Sequence, residues 1–350
     1  MTTEAIAANG LMIGYDVHGS GPPLVMLHGA TSVGREDFAA QIPLFAKGFR
    51  LFLPDARGHG TTAARAEDGF TYADLVDDLG AFVDTLELRT FHLLGFSMGA
   101  MTALQYAARS PERLRTLVLA GITTQREPRT SVARHLMDPA RIERDDPAWA
   151  RELSRRHDAV QGPGGWQRLM PLVAADIARQ PLLGPRELRR VDCPTLVAVG
   201  DRDPFVPVDH AWGLMRQLPD ARLLVAPGCG HEVMVRRPAL FNEAVAAFYR
   251  STESVARRRA EAQGPLSTAP AARGIVLSSA RASWQVDPPE PGGTDAGWLD
   301  GALRRDGAPA GPEAGRADEA GSVHDAAPAN DAVPAHDAEP AHGRDPAPDG

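Results

Sequence analysis

Along the first 250 residues of this 350-residue chain, short apolar runs alternate with stretches of helical periodicity, and that alternation leaves few folds open. The runs are residues 24–27, 50–54, 91–95, 116–120, 195–199 and 222–225. Between them lie stretches such as 72–86, with apolar residues at 75, 76, 79, 82, 83 and 86, and 98–108. Runs of this length suit strands, and a 3.6-residue spacing marks a helix with one buried face. Strands joined by helical crossovers build an α/β fold: a mostly parallel central sheet with flanking helices. Two further runs, 4–8 and 11–17, flank Asn9-Gly10, a dipeptide suited to a two-residue hairpin, and predict an antiparallel start. A last helix is expected from near Pro238 through residues 244–249.

One interval breaks the rhythm. Residues 122–190 contain no convincing strand and several helical pieces with Trp149 and Trp166. That is too long for a loop in a compact sheet, and it reads as a helical lid inserted in the domain. Between Thr124 and Arg190 it carries 13 arginines against nine acidic residues. Most such charges are solvated and paired on helix faces. The other reading is that some of these arginines point inward and select an anionic substrate.

Composition then separates the ends of the chain. Residues 1–250 hold 28 Lys+Arg against 29 Asp+Glu, and residues 251–350 hold 9 against 16, so the net charge of −8 divides as −1 and −7. The last hundred residues also have 23 Ala, 12 Pro and 12 Gly, with ten Val, Ile or Leu and no Phe. Such a stretch buries too little apolar surface to offset the entropy of ordering it. The chain is therefore expected to form one domain over residues 1–260 and a disordered tail over 261–350. From His324 the tail repeats HDAAPA, NDAVPA, HDAEPA and HGRDPA, too polar and proline-rich to stack. Its one apolar piece, residues 274–286, is a weak docking candidate, and nothing supports a tail partner. Metal binding by the tail histidines 324, 336 and 342 is equally unsupported.

Several classes fall away. No apolar run approaches the length of a membrane helix, and the N-terminus has no signal-peptide core, which points to a cytoplasmic protein without a membrane partner. A near-neutral domain offers no electrostatic footprint for nucleic acid. Cys193 and Cys229 are too few for a disulfide scaffold. They also fall at opposite edges of the sheet, roughly 20 Å apart at ~3.3 Å per residue, too far for one bond.

The chemistry concentrates at strand ends. Gly95-Phe96-Ser97-Met98-Gly99 stands where an apolar run meets an Ala-rich helix, the context in which G-x-S-x-G acts as a nucleophile elbow. Glycines there let strand and helix approach while the Ser97 hydroxyl is lifted above the sheet. A serine hydroxyl needs a base to take its proton. His231, in the glycine-rich loop after the last run, leaves the sheet at the same edge and is the candidate. His28 and His59 lie in loops at that edge with a structural role, while His18, His92, His135, His157 and His210 read as surface or packing residues. The base needs a carboxylate, and Gly200-Asp201-Arg202-Asp203 offers two. Asp203 is favoured, with Asp201 the alternative acid, since Asp201 is close enough to the strand to brace the turn by pairing with Arg202. Ala30, in His28-Gly29-Ala30, and Met98 supply the candidate oxyanion N–H groups, worth roughly 3–4 kcal/mol each. No cofactor or metal is called for.

Together, Leu27-His28-Gly29-Ala30, Asp55-Ala56-Arg57-Gly58-His59-Gly60, Gly95-Phe96-Ser97-Met98-Gly99, Gly200-Asp201-Arg202-Asp203 and Gly228-Cys229-Gly230-His231 resemble the α/β-hydrolase fold superfamily, in its branch of serine esterases, lactonases and cofactor-free haloperoxidase-like enzymes. The resemblance covers roughly residues 5–252 and matches the order Ser, Asp, His. It implies Ser97 as nucleophile, Asp203 as acid, His231 as base, and residues 55–60 as a structural loop. Serine at position 97 argues against relatives that use a carboxylate nucleophile. Ala100 stands where many relatives have a third glycine. The implied activity is hydrolysis of a small carboxylic ester or lactone through an acyl-enzyme. The same residues would also serve a perhydrolase, a lyase or a thioesterase-like enzyme, and the arginines of the insertion raise an enol-lactonase for an anionic lactone.

Overall fold

The computed structural model describes residues 2–64 and 69–263, with side chains described for 3–64 and 69–254. The chain opens with β1 (Thr2–Ala8), β2 (Leu11–His18) and β3 (Pro23–Leu27), followed by α1 (Gly34–Asp37), α2 (Ile42–Phe45), β4 (Arg50–Pro54) and α3 (Tyr72–Thr85). Next come β5 (Phe91–Phe96), α4 (Met98–Arg109) and β6 (Leu114–Ala120). Helices α5 (Arg129–Leu136), α6 (Pro139–Asp145), α7 (Pro147–Gln161), α8 (Gly165–Arg179) and α9 (Pro185–Leu188) then follow without a strand. The chain returns to the sheet with β7 (Thr195–Gly200), α10 (Val208–Gln217), β8 (Ala221–Ala226), α11 (Val233–Arg236) and α12 (Pro238–Gln263).

The eight strands form one sheet in the order β1-β2-β4-β3-β5-β6-β7-β8. Pairs β1–β2 and β2–β4 are antiparallel, and the remaining pairs are parallel. The antiparallel start follows from the turn: Asn9 and Gly10 both take positive φ, 48° and 76°, which twists the two strands together. Past it, the sheet is covered on both sides, and the strands divide their side chains with a period of two. Val25, Leu27, Leu93, Leu117, Leu119, Val197 and Val199 join the core under α3, α4 and α10. Their neighbours Leu24, Met26, Leu94, Val118, Leu196 and Ala198 join the core under α2 and α12. This is the mostly parallel α/β sheet expected from the alternation of runs.

Helix α3 begins where the Thr71 hydroxyl accepts the Asp74 N–H at 3.1 Å, and buries Leu75, Val76, Leu79, Phe82 and Val83 on one face. Between β6 and β7, Leu153, Trp166, Leu169, Met170 and Val173 extend the same core that holds α3 and α4. The helical insertion thus shares its core with α3 and α4. Among the described residues no helix is long and apolar enough to cross a membrane. Of the expected tail, residues 261–263 end α12, and the remainder, with residues 274–286 and its histidines, lies outside the described residues.

Candidate active site

The parallel strands end along one edge, and their outgoing loops build the site. At the end of β5 the backbone turns sharply into α4 through Ser97, which is forced to φ 50° and ψ −109°, an uncommon conformation for a residue with a side chain. The turn is tied down by two backbone bonds, Ser97 N–H to the Ala120 carbonyl at 2.9 Å and Gly99 N–H to the His28 carbonyl at 3.1 Å. Its tightness explains the two glycines. A Cβ at Gly95 would fall 2.4 Å from the Gly99 carbonyl oxygen, and one at Gly99 would fall 2.2 Å from that of Leu27.

His231 follows β8, and its Nε2 lies 2.9 Å from the Ser97 Oγ. Its Nδ1 lies 2.8 Å from Asp203 Oδ2. The other Asp203 oxygen accepts the N–H groups of Phe205 at 2.8 Å and Val206 at 3.0 Å, so this fully buried carboxylate has a single orientation. The imidazole ring packs between Phe96 and Phe205, with centroids at 5.0 and 4.4 Å. The structure therefore brings together Ser97, His231 and Asp203, residues 97 to 231 in sequence. Asp201, the alternative acid, points elsewhere: it accepts the Cys229 N–H at 3.0 Å. That N–H and the one of Gly228 hold its carboxyl below the usual range. It braces the loop before His231 through backbone amides, and no ion pair with Arg202 forms among the described residues.

The loop after β3 carries the second oxyanion candidate. Ala30 and Met98 both line the cavity that opens on Ser97, and neither amide N–H makes a hydrogen bond among the described residues. Two histidines fix this loop. Ala56 N–H donates to His28 Nε2 at 2.9 Å, so the proton sits on Nδ1 and is donated to the Gly29 carbonyl at 2.7 Å. His59 spans the carbonyls of Ala30 and Arg57 at 2.7 and 3.0 Å, and burial pushes its pKa down to about 4. Arg57 in turn makes a two-pronged pair with Asp78 at 2.6 and 2.7 Å. These are structural contacts that hold residues 55–60 beneath the site.

Sequence reasoning missed Asp37. Its buried carboxylate accepts the Gly29 N–H at 2.8 Å, and burial pushes its pKa up. No motif marks it, because its partner is eight residues away in a loop. Cys193 and Cys229 are both free and buried, and burial pushes both thiols up, so Cys229 has no thiolate character despite lining the cavity.

The cavity has a volume of about 1000 Å³, enough for a small organic substrate. Its roof comes from the insertion, through Arg129, Leu136, Met137, Trp149, Arg156 and Ile177. Helix α7 is clipped to α1: Arg155 and Arg156 both pair with Glu36, at 2.6 and 2.5 Å. A carboxylate, an imidazole and a hydroxyl in one hydrogen-bonded line, beside unpaired N–H groups, can deprotonate an attacking hydroxyl and receive a developing oxyanion.

Comparison with known proteins agrees with the fold. A family model described as "alpha/beta hydrolase fold" matches residues 22–164, and one described as "TAP-like protein" matches residues 178–259. Serine hydrolase BPHL of Mus musculus is 28% identical over 265 residues, covering 71% of this chain and 86% of that protein. The 2-hydroxy-6-oxo-6-phenylhexa-2,4-dienoate hydrolase of Burkholderia cepacia is 28% identical over 257 residues, covering 64% and 86%. Among solved structures, Est816, described as an N-acyl homoserine lactone degrading enzyme, matches with TM-score 0.58 and 26% identity, covering 70% of this chain and all of that one.

Proposed function

We propose that this chain, which belongs to the α/β-hydrolase superfamily, cleaves a small carboxylic ester or lactone through an acyl-enzyme on Ser97. The observation that carries the reading is the line from Asp203 to His231 to Ser97, with contacts of 2.8 and 2.9 Å. In the first step the Ser97 Oγ attacks the substrate carbonyl carbon while His231 Nε2 takes the hydroxyl proton. The charge on His231 is held by Asp203, and the oxyanion is held by the N–H groups of Ala30 and Met98. Collapse breaks the bond to the leaving oxygen, which takes the proton from His231, and leaves the acyl group on Ser97. Water, deprotonated by His231, then attacks the acyl carbon and restores the serine. For a lactone both steps act on one molecule, and the product is the hydroxy acid.

The named relatives are hydrolases, which supports hydrolysis, and one structural relative is described as degrading an N-acyl homoserine lactone, which supports the lactone half of the substrate class. The test is a panel of p-nitrophenyl esters of varied acyl length, run beside charged and neutral lactones. Multiple turnover is expected on at least one member, with loss on the order of 10³-fold or more in Ser97→Ala. Turnover that survives unchanged in Ser97→Ala contradicts the proposal.

A further inference from the structure

One buried cation in the cavity has no anion. Arg129, at the start of α5, is only 8% exposed and lines the same space as Ser97. Its Nε is buried and makes no hydrogen bond, and no carboxylate comes within ion-pair distance of it among the described residues. Of the other arginines lining the cavity, Arg156 pairs with Glu36 and Glu152 and Arg236 with Glu232, while Arg237 is exposed and its charge is solvated. Asp176, whose field reaches Arg129, is committed to the Tyr72 N–H at 2.9 Å, and burial pushes its own carboxyl up. What holds Arg129 is neutral. With the Gln180 amide oxygen turned towards it, both terminal nitrogens donate to that oxygen, at 3.3 and 3.2 Å.

A guanidinium keeps its proton in any protein environment, so burial without a counter-ion leaves a charge that is costly in the empty site and strongly attractive to an anion that fits. The geometry points to a carboxylate subsite: we propose that Arg129, steadied by Gln180, binds a free carboxylate carried by the substrate at a distance from the bond that Ser97 attacks. Met137, Leu136 and Ile177 line the same cavity with apolar surface. The substrate class is thus an ester or lactone bearing a carboxylate at the end of a short apolar spacer. Planar, two-pronged recognition is what arginine offers a carboxylate and lysine does not. This assignment rests on the hydrolase reading for the word substrate, but the anion-binding property stands apart from it.

The experiment compares mono-p-nitrophenyl esters of linear diacids, from succinate to adipate, with chain-matched p-nitrophenyl alkanoates at about pH 7.5, where the free carboxyl is ionised. For one chain length the wild type should favour the carboxylated ester by on the order of tenfold or more in kcat/KM. Arg129→Met should abolish that preference while leaving the neutral ester within about threefold, and Arg129→Lys should restore part of it. A second measurement needs neither variant nor turnover: adipate should raise the Tm of the wild-type protein, and hexane-1,6-diol should not. No preference at any chain length, together with no shift by succinate, glutarate or adipate, overturns the subsite. An equal loss on both esters in Arg129→Met does so too. Stabilisation by adipate in a protein that turns over no ester upholds the subsite and overturns the hydrolase reading instead.

Discussion

Asp37 accepts the Gly29 N–H at 2.8 Å, and through that bond a buried carboxylate holds the loop that presents the Ala30 amide to the cavity beside Ser97. Asp37→Ala removes the acceptor and leaves a buried N–H without a partner. It should cost about 1–3 kcal/mol in stability. It should also lower kcat on the order of tenfold or more with little change in KM, because the misplaced donor acts on the transition state. Steady-state kinetics on a p-nitrophenyl ester and a urea titration check the two effects, and an unchanged kcat argues against the role.

The two acids of the 200–203 turn separate in one pair of variants. Asp203→Asn keeps the shape but offers His231 the wrong partner, and kcat should fall on the order of 10³- to 10⁴-fold. Asp201→Asn retains an oxygen for the Cys229 N–H, so its kcat should stay within about tenfold of wild type. Equal losses at the two positions would mean that the imidazole is oriented by something other than Asp203.

Stability should fall as the solution is acidified through the histidine range. Burial pushes His92 down to about 3, and its Nδ1 faces the Thr116 hydroxyl at 2.8 Å. An ordinary imidazole in the unfolded chain takes up a proton near pH 6.5, so between about 6.5 and 3 the unfolded state binds the extra proton. Each such group then weakens the fold by on the order of 1.4 kcal/mol per pH unit on the way down. His59 acts in the same direction and Asp37, whose pKa is raised, in the opposite one. Comparing wild type with His92→Gln isolates the contribution of His92. Urea midpoints at pH 7.5 and 5.5 should lie farther apart in the wild type, and parallel behaviour would sink the assignment.

The contact of Glu36 with Arg155 and Arg156 joins α1 to α7 across the edge of the site. Glu36→Gln discharges one side of the contact. Amide exchange in residues 147–161 should then quicken by roughly tenfold, the equivalent of about 1.4 kcal/mol, while β5 and α4 stay protected. Exchange that quickens everywhere would report global destabilisation and not a local clasp.

Much of this was legible in the order of residues because it is local. The elbow announces itself, since Gly95 and Gly99 are required by backbone contacts within a few residues of Ser97 and opposite Leu27. His231 and Asp203 stand directly after strands of a parallel sheet, where topology alone brings them to one edge. The positions that were not legible depend on contacts without local period. Asp37 looks like any acid in a short helix, and its burial comes from packing against the loop after β3. Arg129 looks like one of 13 arginines in the insertion until α5 is laid over the cavity, and only then does it differ from Arg156, which has its acids.

The central claim is that Ser97 is a nucleophile activated by His231, and the most direct measurement is covalent. The full-length protein is incubated with a fluorophosphonate, and its intact mass and peptide map are recorded. The account predicts one adduct, on Ser97, absent in Ser97→Ala and formed far more slowly in His231→Ala. No adduct on the wild-type protein, or an adduct at another residue with Ser97 unmodified, would contradict it.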